Sequence, residues 1–278
     1  MPGEAAVAIV LLAALAHAGW NALIKTSGDR FLVLVAIRLV GLVFGVVVLA
    51  LVPWPAGPSW PWLLAAVAIH YAYYALLTNT YRLGDLSQTY PLSRGLAPVL
   101  VAVLAWLAGE ALSPAGIAGV ALTAAGIAML AHAVGSAPVS VTLFALGTGA
   151  AIAGYTTTSG IGVRLAGGVL GYSAALEVLT GLGVIGYALR DRGARLWPQL
   201  AALGLKGPFA GALSVGGYLV ALWAMTVLPL AVVTALRESS VVFGALLGVW
   251  LLREPLGTRR VVAAAMVALG AAVITLAE

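Results

Sequence analysis

The chain contains no cysteine, only three histidines and very few charged residues. The absence of cysteine excludes disulfide bonds, thiol nucleophiles and zinc–thiolate sites. Charged residues make up 8% of the chain, whereas soluble domains carry about 25%. Hydrophobic residues account for 63% of the 278 residues, and the mean hydropathy is +1.09. Such a chain cannot cover itself with polar surface, so its solvent is predicted to be lipid.

Long apolar runs separated by short polar connections recur along the whole chain. Each run has about 20 residues, enough for a helix rising 1.5 Å per residue to cross a hydrocarbon core of about 30 Å. The runs are apolar on every face, whereas strands of a membrane barrel alternate apolar and polar residues. The sequence therefore predicts an all-α, multi-pass protein of the cell (inner or plasma) membrane with about ten transmembrane helices. The predicted helices are 5–24, 32–52, 62–81, 87–108, 114–132, 140–160, 169–189, 207–225, 230–251 and 258–277.

The net charge of +5 reflects basic residues at the ends of the runs, which indicate membrane topology rather than a nucleic-acid partner. They concentrate in the connections after odd-numbered helices, whereas the connections after even-numbered helices hold only Arg164. By the positive-inside rule, this bias places both termini outside the cytoplasm. No Lys or Arg precedes the first run, so that run is predicted to be a permanent helix rather than a cleaved signal peptide.

The two halves of the chain resemble each other. Glu110 and Glu254 each follow a long apolar run, and their positions differ by 144. The same shift relates Tyr74 to Tyr218, Leu92 to Leu236, Trp106 to Trp250 and Gly126 to Gly270. Smaller shifts relate Gly19-Trp20 to Gly154-Tyr155 and Arg38 to Glu177.

This repetition predicts two five-helix units, 1–135 and 136–278. Because five is an odd number, the second unit crosses the membrane in the opposite sense to the first. Inverted repeats of this kind are typical of secondary transporters, which bind substrate near the membrane midplane between the repeats. A duplication that serves packing alone is the alternative.

Several segments are similar to the ten-helix EamA-type permeases of the drug/metabolite transporter superfamily. They are 17–21 with Lys25, 81–94, 97–98, 109–110, 236–240, 252–254 and Gly270. The resemblance covers nearly the whole chain. It implies a basket of helices around a central cavity, both termini in the cytoplasm, and export of amino acids, sugars, nucleotide precursors or drugs. Charge bias and resemblance therefore give opposite orientations, and the sequence leaves the orientation open.

Ionisable residues inside the predicted helices are the candidates for chemistry. Each costs at least about 2.5–3.5 kcal/mol in lipid, so each is expected to have a partner or to line a wet cavity. Arg94 is predicted to attract a substrate carboxylate or phosphate, and the alternative is an ion pair with Glu238 or Glu177. The shift of 144 relates Arg94 to Glu238, which favours a bridge between the halves. Glu177 is predicted either to bind a proton or to pair with Arg38.

The remaining candidates are polar or aromatic residues near these charges. The predicted substrate-binding residues are Trp20, Asn21, Tyr74, Tyr90, Arg94, Tyr155, Tyr218, Trp223, Arg237 and Glu238. Arg38, Glu177 and His17 are assigned to proton coupling or internal ion pairs. Glu110 and Glu254 are expected to form hydrogen bonds at loops or helix ends. The histidines lie on different predicted helices, so no metal site is predicted, and no cofactor is expected.

These observations predict a secondary transporter of a small polar metabolite, an exporter of amino acids or related organic anions, working by alternating access. The chain has no phosphate-binding Gly-Lys loop, which argues against ATP as the energy source. A drug/cation:proton antiporter is the alternative, followed by an intramembrane lipid-handling protein or enzyme. The sequence shows no nucleophile turn and no zinc-binding helix motif, so an enzyme is not predicted. The expected partners are the substrate and the bilayer, and the sequence leaves open a monomer or a homodimer.

Overall fold

The computed structural model describes residues 2–25, 29–83, 86–132, 138–252 and 258–277. All regular structure in these ranges is helical, as expected for a lipid-solvated chain whose backbone polar groups must be satisfied within each segment. The α-helices are α1 Pro2–Lys25, α2 Arg30–Leu49, α3 Trp60–Leu83, α4 Leu86–Leu107, α5 Pro114–His132, α6 Val139–Leu165, α7 Val169–Arg192, α8 Leu196–Ala202, α9 Lys206–Ala224, α10 Leu230–Leu252 and α11 Thr258–Ala277. Short 3-10 turns at Gly57–Ser59 and Gly193–Arg195 precede α3 and α8.

Each predicted apolar run corresponds to one of the long helices, but some boundaries differ. α6 continues to Leu165 and α7 to Arg192, beyond the predicted ends at 160 and 189. The last turn of α7 carries Arg190 and Arg192, and cations are favourable at a helix C-terminus. Gly193 directly follows α7, and its φ of 57° lies in the left-handed region that favours glycine. The short helix α8 was not predicted.

Within the described ranges, five helical segments are long and apolar enough to cross a membrane. They are Arg30–Leu49, Gly57–Asn79, Val139–Leu165, Val169–Ala202 and Lys206–Ala224. Large apolar side chains such as Val43, Val99 and Leu182 are exposed well inside their helices. An exposed apolar surface of this extent is expected where the solvent is lipid. These features indicate a membrane protein.

The helices pack in pairs that link the first half of the chain to the second. α2 packs along α7, α5 packs along α11, and α4 contacts α10. α1 packs against α9 and α10, while α6 packs against α3 and α4. α2 also contacts α9, and α3 contacts α7. These contacts form the same pattern when each helix is exchanged for one in the other half. The exchanged pairs are α1 with α6, α2 with α7, α3 with α9, α4 with α10 and α5 with α11.

Glycines allow the closest helix pairs to approach each other. A Cβ atom on Gly119 of α5 would lie 2.8 Å from the carbonyl oxygen of Gly270 on α11. A Cβ atom on Gly126 would lie 2.9 Å from the carbonyl oxygen of Ala263. Contacts between small residues of this kind are the usual basis of helix association in lipid. The order of the two contacts shows that α5 and α11 run antiparallel.

Candidate functional site

Arg94 of α4 and Glu238 of α10 form a buried, two-pronged ion pair. The Arg94 Nε donates to Glu238 Oε2 at 2.8 Å, and the Arg94 Nη2 donates to Glu238 Oε1 at 2.8 Å. Only 9% of Arg94 and 1% of Glu238 is exposed. The two parallel hydrogen bonds fix the guanidinium and carboxylate planes relative to each other. The predicted bridge between these residues is therefore confirmed.

Arg38 of α2 and Glu177 of α7 form a second buried ion pair. The Arg38 Nη1 donates to Glu177 Oε2 at 2.8 Å. Gly41 lies about one turn after Arg38, and a Cβ atom there would overlap the Glu177 carboxylate. The glycine therefore makes room for the acid between the helices. This contact confirms the pairing that was the alternative to a proton-binding role for Glu177.

Arg237 differs from these two arginines. Its Cζ atom lies 5.5 Å from the ring centroid of Tyr218, a cation–π contact. In the ranges that the structure describes, no carboxylate lies within ion-pair distance of Arg237. The helix interiors thus carry Arg38, Arg94 and Arg237 against Glu177 and Glu238, an excess of one positive charge.

Aromatic rings from α3, α6 and α9 form a cluster beside these charges. His70 stacks on Tyr155 with ring centroids 4.0 Å apart and an interplanar angle of 29°. Tyr73 meets Tyr155 at 5.4 Å, and the Tyr218 ring meets His70 edge-on at 6.0 Å. The Tyr218 hydroxyl and Ser159 Oγ are 3.1 Å apart and hydrogen-bonded. The rings present flat apolar faces whose polar atoms are held in defined positions.

The ion pairs and the aromatic cluster are continuous. The Arg38 Cζ atom lies 6.0 Å from the Tyr74 ring centroid, and the Tyr74 ring lies 6.0 Å from that of His70. On the other side, Arg94 Nη1 lies 3.4 Å from His17 Nε2. We call this set the central polar site: His17, Arg38, His70, Tyr73, Tyr74, Arg94, Tyr155, Glu177, Tyr218, Arg237 and Glu238.

The structure brings most of the predicted residues into this site, with some exceptions. Trp223 is half-buried and packs against the apolar core, where it makes no ring contact with the cluster in the described part of the chain. The side chains of Trp20, Asn21 and Tyr90 lie outside the described residues.

Two members of the central polar site, His70 and Tyr73, were not predicted to belong to any site. His70 lies four residues before Tyr74 and three before Tyr73, and residues at these spacings meet on one side of a helix. This spacing was the signal that could have identified them.

A second polar cluster lies where α4, α6 and α9 end and α10 begins. Arg164 Nη2 donates to Glu110 Oε1 at 2.9 Å, and the amide of Leu230 donates to Glu110 Oε2 at 3.0 Å. Arg164 also donates to the carbonyl oxygens of Met225 and Leu228. The carboxylate of Glu110 thus satisfies a free amide at the start of α10. The predicted helix-end role of Glu110 is confirmed, while Glu254 lies outside the described residues.

A third cluster lies where α2 begins and α7 ends, at the opposite end of α7 from Arg164. Asp29 accepts from the Leu32 amide at 2.9 Å and from Arg192 Nη1 at 2.7 Å. Partial desolvation raises the pKa of Asp29, but the hydrogen bonds from Arg192 and Leu32 and the charge of Arg192 outweigh it. The pKa of Asp29 therefore lies below its ordinary value.

None of these clusters has the composition of a metal site. In the described ranges, no three His, Asp or Glu side chains come close enough together to hold an ion. Oxygen ligands that are engaged by arginines, as in the two buried pairs, are also poor metal ligands.

Comparisons with known proteins support the fold. No family model matches the chain, and no curated protein matches it. The chain is similar to a protein of known crystal structure, which aligns with a TM-score of 0.75 and 21% sequence identity over 99% of each chain. A likeness at this identity shows that the two chains share a fold, and the description of that crystal structure gives no function.

Proposed function

We propose that the protein is a multi-pass secondary transporter that exports a small polar metabolite, an amino acid or related organic anion, by alternating access. The observation that carries this proposal is the pair of buried ion pairs, Arg38–Glu177 and Arg94–Glu238, each of which joins one half of the chain to the other. The chain is then a permease of the cell membrane, and its sequence motifs make the EamA type the family to which we assign it.

The contacts of the described helices support an inverted repeat of 1–135 and 136–278. The sequence shifts relate Arg94 to Glu238 and Arg38 to Glu177, and these related residues contact each other directly. Equivalent positions of two repeats can touch only close to the axis that relates them. The two ion pairs therefore support a pseudo-two-fold axis close to the central polar site.

The contacts between α5 and α11 support the same axis. A shift of 144 converts Gly119 to Ala263 and Gly126 to Gly270. The contact of Gly119 with Gly270 thus becomes the contact of Ala263 with Gly126, and both are present. Two halves with matching contacts can separate at either end at similar cost, which is what alternating access requires.

The ion pairs favour transport over a purely structural role. Burying an Arg–Glu pair adds little stability on average, because the desolvation penalty can exceed the Coulombic gain. Ionisable groups inside a membrane protein instead mark substrate or proton routes. A substrate anion that competes with Glu238 for Arg94 would loosen the contact between the halves and couple binding to movement.

The excess positive charge of the helix interiors disfavours the alternative of a cation carrier. A cationic drug would enter beside Arg237, which has no acidic partner in the described ranges. Proton coupling through Glu177 would require this acid to leave Arg38 during the cycle. Nothing in the central polar site resembles an acid–base pair or nucleophile that would favour an enzyme.

Transport by the purified protein in liposomes tests this proposal. We expect accumulation of at least one labelled compound from a panel of amino acids and small organic anions, dependent on a preloaded substrate or proton gradient. Arg94→Ala should abolish this accumulation without preventing membrane insertion. Because Arg94→Ala leaves Glu238 buried without its partner, the double variant Arg94→Gln/Glu238→Gln provides a neutral pair that can still form hydrogen bonds. Arg195→Ala, which changes an exposed arginine in a connection, is the matched control.

Wild-type rates in either Arg94 variant would contradict the proposed site. Absence of gradient-dependent accumulation for the whole panel, in protein that is folded and correctly inserted, would contradict the proposed carrier.

A further inference from the structure

We infer that the central polar site selects an organic monoanion with a hydrogen-bond donor next to its carboxylate, as in a 2-hydroxy acid, over a zwitterion. Arg237 binds the carboxylate in this arrangement, and His70 Nε2 accepts the hydrogen bond from the neighbouring donor. The inference rests on the proposed function, since it names the substrate class of the carrier. Nothing in the sequence had assigned a role to His70.

The first step concerns the hydrogen on the His70 ring. Nδ1 of His70 lies 2.8 Å from the carbonyl oxygen of Ala66. A carbonyl oxygen only accepts, so Nδ1 must carry the hydrogen and donate it. In a neutral imidazole, Nε2 is then the acceptor, because the hydrogen bond of one ring nitrogen decides the state of the other.

The second step concerns the environment of Nε2. His70 is 7% exposed, and stacking on Tyr155 fixes the orientation of its ring. No donor within the described residues bonds to Nε2. Nε2 is therefore open to a hydrogen bond from a donor that a ligand supplies.

The third step concerns the position of the free cation. The Tyr218 ring contacts His70 at 6.0 Å and the Arg237 guanidinium at 5.5 Å. His70 and Arg237 are thus both neighbours of the Tyr218 ring, and we place the ligand against this ring so that it contacts both groups. Arg38 and Arg94 are engaged by their glutamates, so Arg237 is the described arginine of this site that offers its charge to a ligand.

The fourth step is the charge balance. Three arginines and two glutamates lie within the helix interiors, so a single negative charge makes the site neutral. A zwitterion brings no net charge and places an ammonium group beside Arg237. A neutral hydroxyl or amide N–H donates to Nε2 without this repulsion. An uncompensated charge is costly away from water, so the monoanion is favoured.

Binding of four compounds with one skeleton tests the inference. Calorimetry with the full-length protein in detergent compares 3-phenyllactate, 3-phenylpropionate, phenylalanine and 3-phenyllactamide, which vary the donor and the charge in turn. We expect 3-phenyllactate to bind most tightly. Loss of the hydroxyl in 3-phenylpropionate should weaken binding by about 2- to 12-fold, the range for a neutral hydrogen bond. Loss of the negative charge in 3-phenyllactamide should weaken it by about 10- to 150-fold, the range for a charged one.

Substitutions connect these preferences to the two residues. His70→Gln places an amide near the position of Nε2 and should keep the preference for 3-phenyllactate over 3-phenylpropionate. His70→Asn places its amide near Nδ1 and should remove that preference. Arg237→Gln should remove the preference for the acid over the amide, whereas Arg237→Lys should keep most of it. Arg195→Gln is the control and should leave all four affinities unchanged.

Tighter binding of phenylalanine than of 3-phenyllactate to the wild-type protein would overturn the inference. No measurable binding of 3-phenyllactate would also overturn it, and neither result depends on a variant that folds. The expected order of affinities without any transport in liposomes would support the site but contradict the carrier. Transport together with affinities that ignore hydroxyl and charge would contradict the inference alone.

Discussion

Replacement of Glu177 by Gln should destabilise the protein strongly, although the two side chains have nearly the same shape. Glutamine keeps an acceptor oxygen where Glu177 Oε2 now accepts from Arg38 Nη1 at 2.8 Å. It removes the negative charge that compensates Arg38, which is 8% exposed. The Nε of Arg38 has no hydrogen-bond partner among the described residues. The guanidinium therefore has little else to stabilise its charge.

The expected size of this effect follows from the burial of the pair. Removing one partner of a buried ion pair typically costs about 3–5 kcal/mol, because the other charge stays buried without compensation. Replacing both partners by apolar residues of similar volume is often neutral, or stabilising by about 1–4 kcal/mol. Arg38→Met/Glu177→Met should therefore recover the stability that Glu177→Gln loses. It should not recover transport.

Reversible unfolding in mixed detergent micelles can measure these free energies on the wild type, Glu177→Gln, the single variants Arg38→Met and Glu177→Met, and the double variant of these two. The difference between the double variant and the sum of the singles gives the coupling between the two residues. A loss below about 0.5 kcal/mol in Glu177→Gln would mean that water already compensates Arg38, since this is the usual error of additivity. That result would refute the argument that the pair is shielded from solvent.

Three further predictions follow from the described contacts. Gly119→Ala should lower the free energy of unfolding by about 1–3 kcal/mol through overpacking against α11. Gly186→Ala is the control and should not lower it, because its added Cβ atom has open space around it. Equal losses of thermal stability in the two variants would contradict the close contact between α5 and α11. The pKa of Asp29 is lower in the folded state than its ordinary value of 3.8, so its contribution to stability is complete above that value and is lost as the pH falls through the folded pKa. Asp29→Asn should therefore reduce the loss of stability below pH about 4, and melting curves of both proteins at pH 7 and pH 3 test this. Glu110→Ala should cost about 0.5–2 kcal/mol, the usual loss when a helix N-terminus loses its cap, and Glu110→Gln should recover part of this loss in the same assay.

The sequence predicted the long helices because each is both long and apolar, and lipid removes the alternatives to a helix for such a run. It did not predict α8, whose seven residues Leu196–Ala202 are too few to give a periodic signal. α8 is anchored by Leu196, which is fully buried. That burial depends on α2, which α8 contacts and which is distant in sequence.

The residues of the polar clusters were predictable to different degrees, because their partners lie on helices that are distant in sequence. Arg94 and Glu238 could be paired in advance because the shift between the halves relates the two positions directly. The partner of Glu110 was not predictable, since Arg164 lies 54 residues away and has no fixed relation to it in the repeat. His70 gives no such signal, because the three histidines lie on different predicted helices. Its importance comes from the Tyr155 ring on another helix, which periodicity within α3 cannot reveal.

The distribution of charge on the proposed repeat gives the two halves different tasks. An unchanged duplication would place identical residues at the axis, where two arginines or two glutamates would repel each other. In this chain the first half supplies Arg38 and Arg94, and the second half supplies Glu177 and Glu238. Attraction therefore holds the halves together in the absence of substrate. Under the proposed function, an anion bound beside Arg237 of the second half competes with the glutamates for the arginines of the first half. The contact between the halves then depends on the substrate.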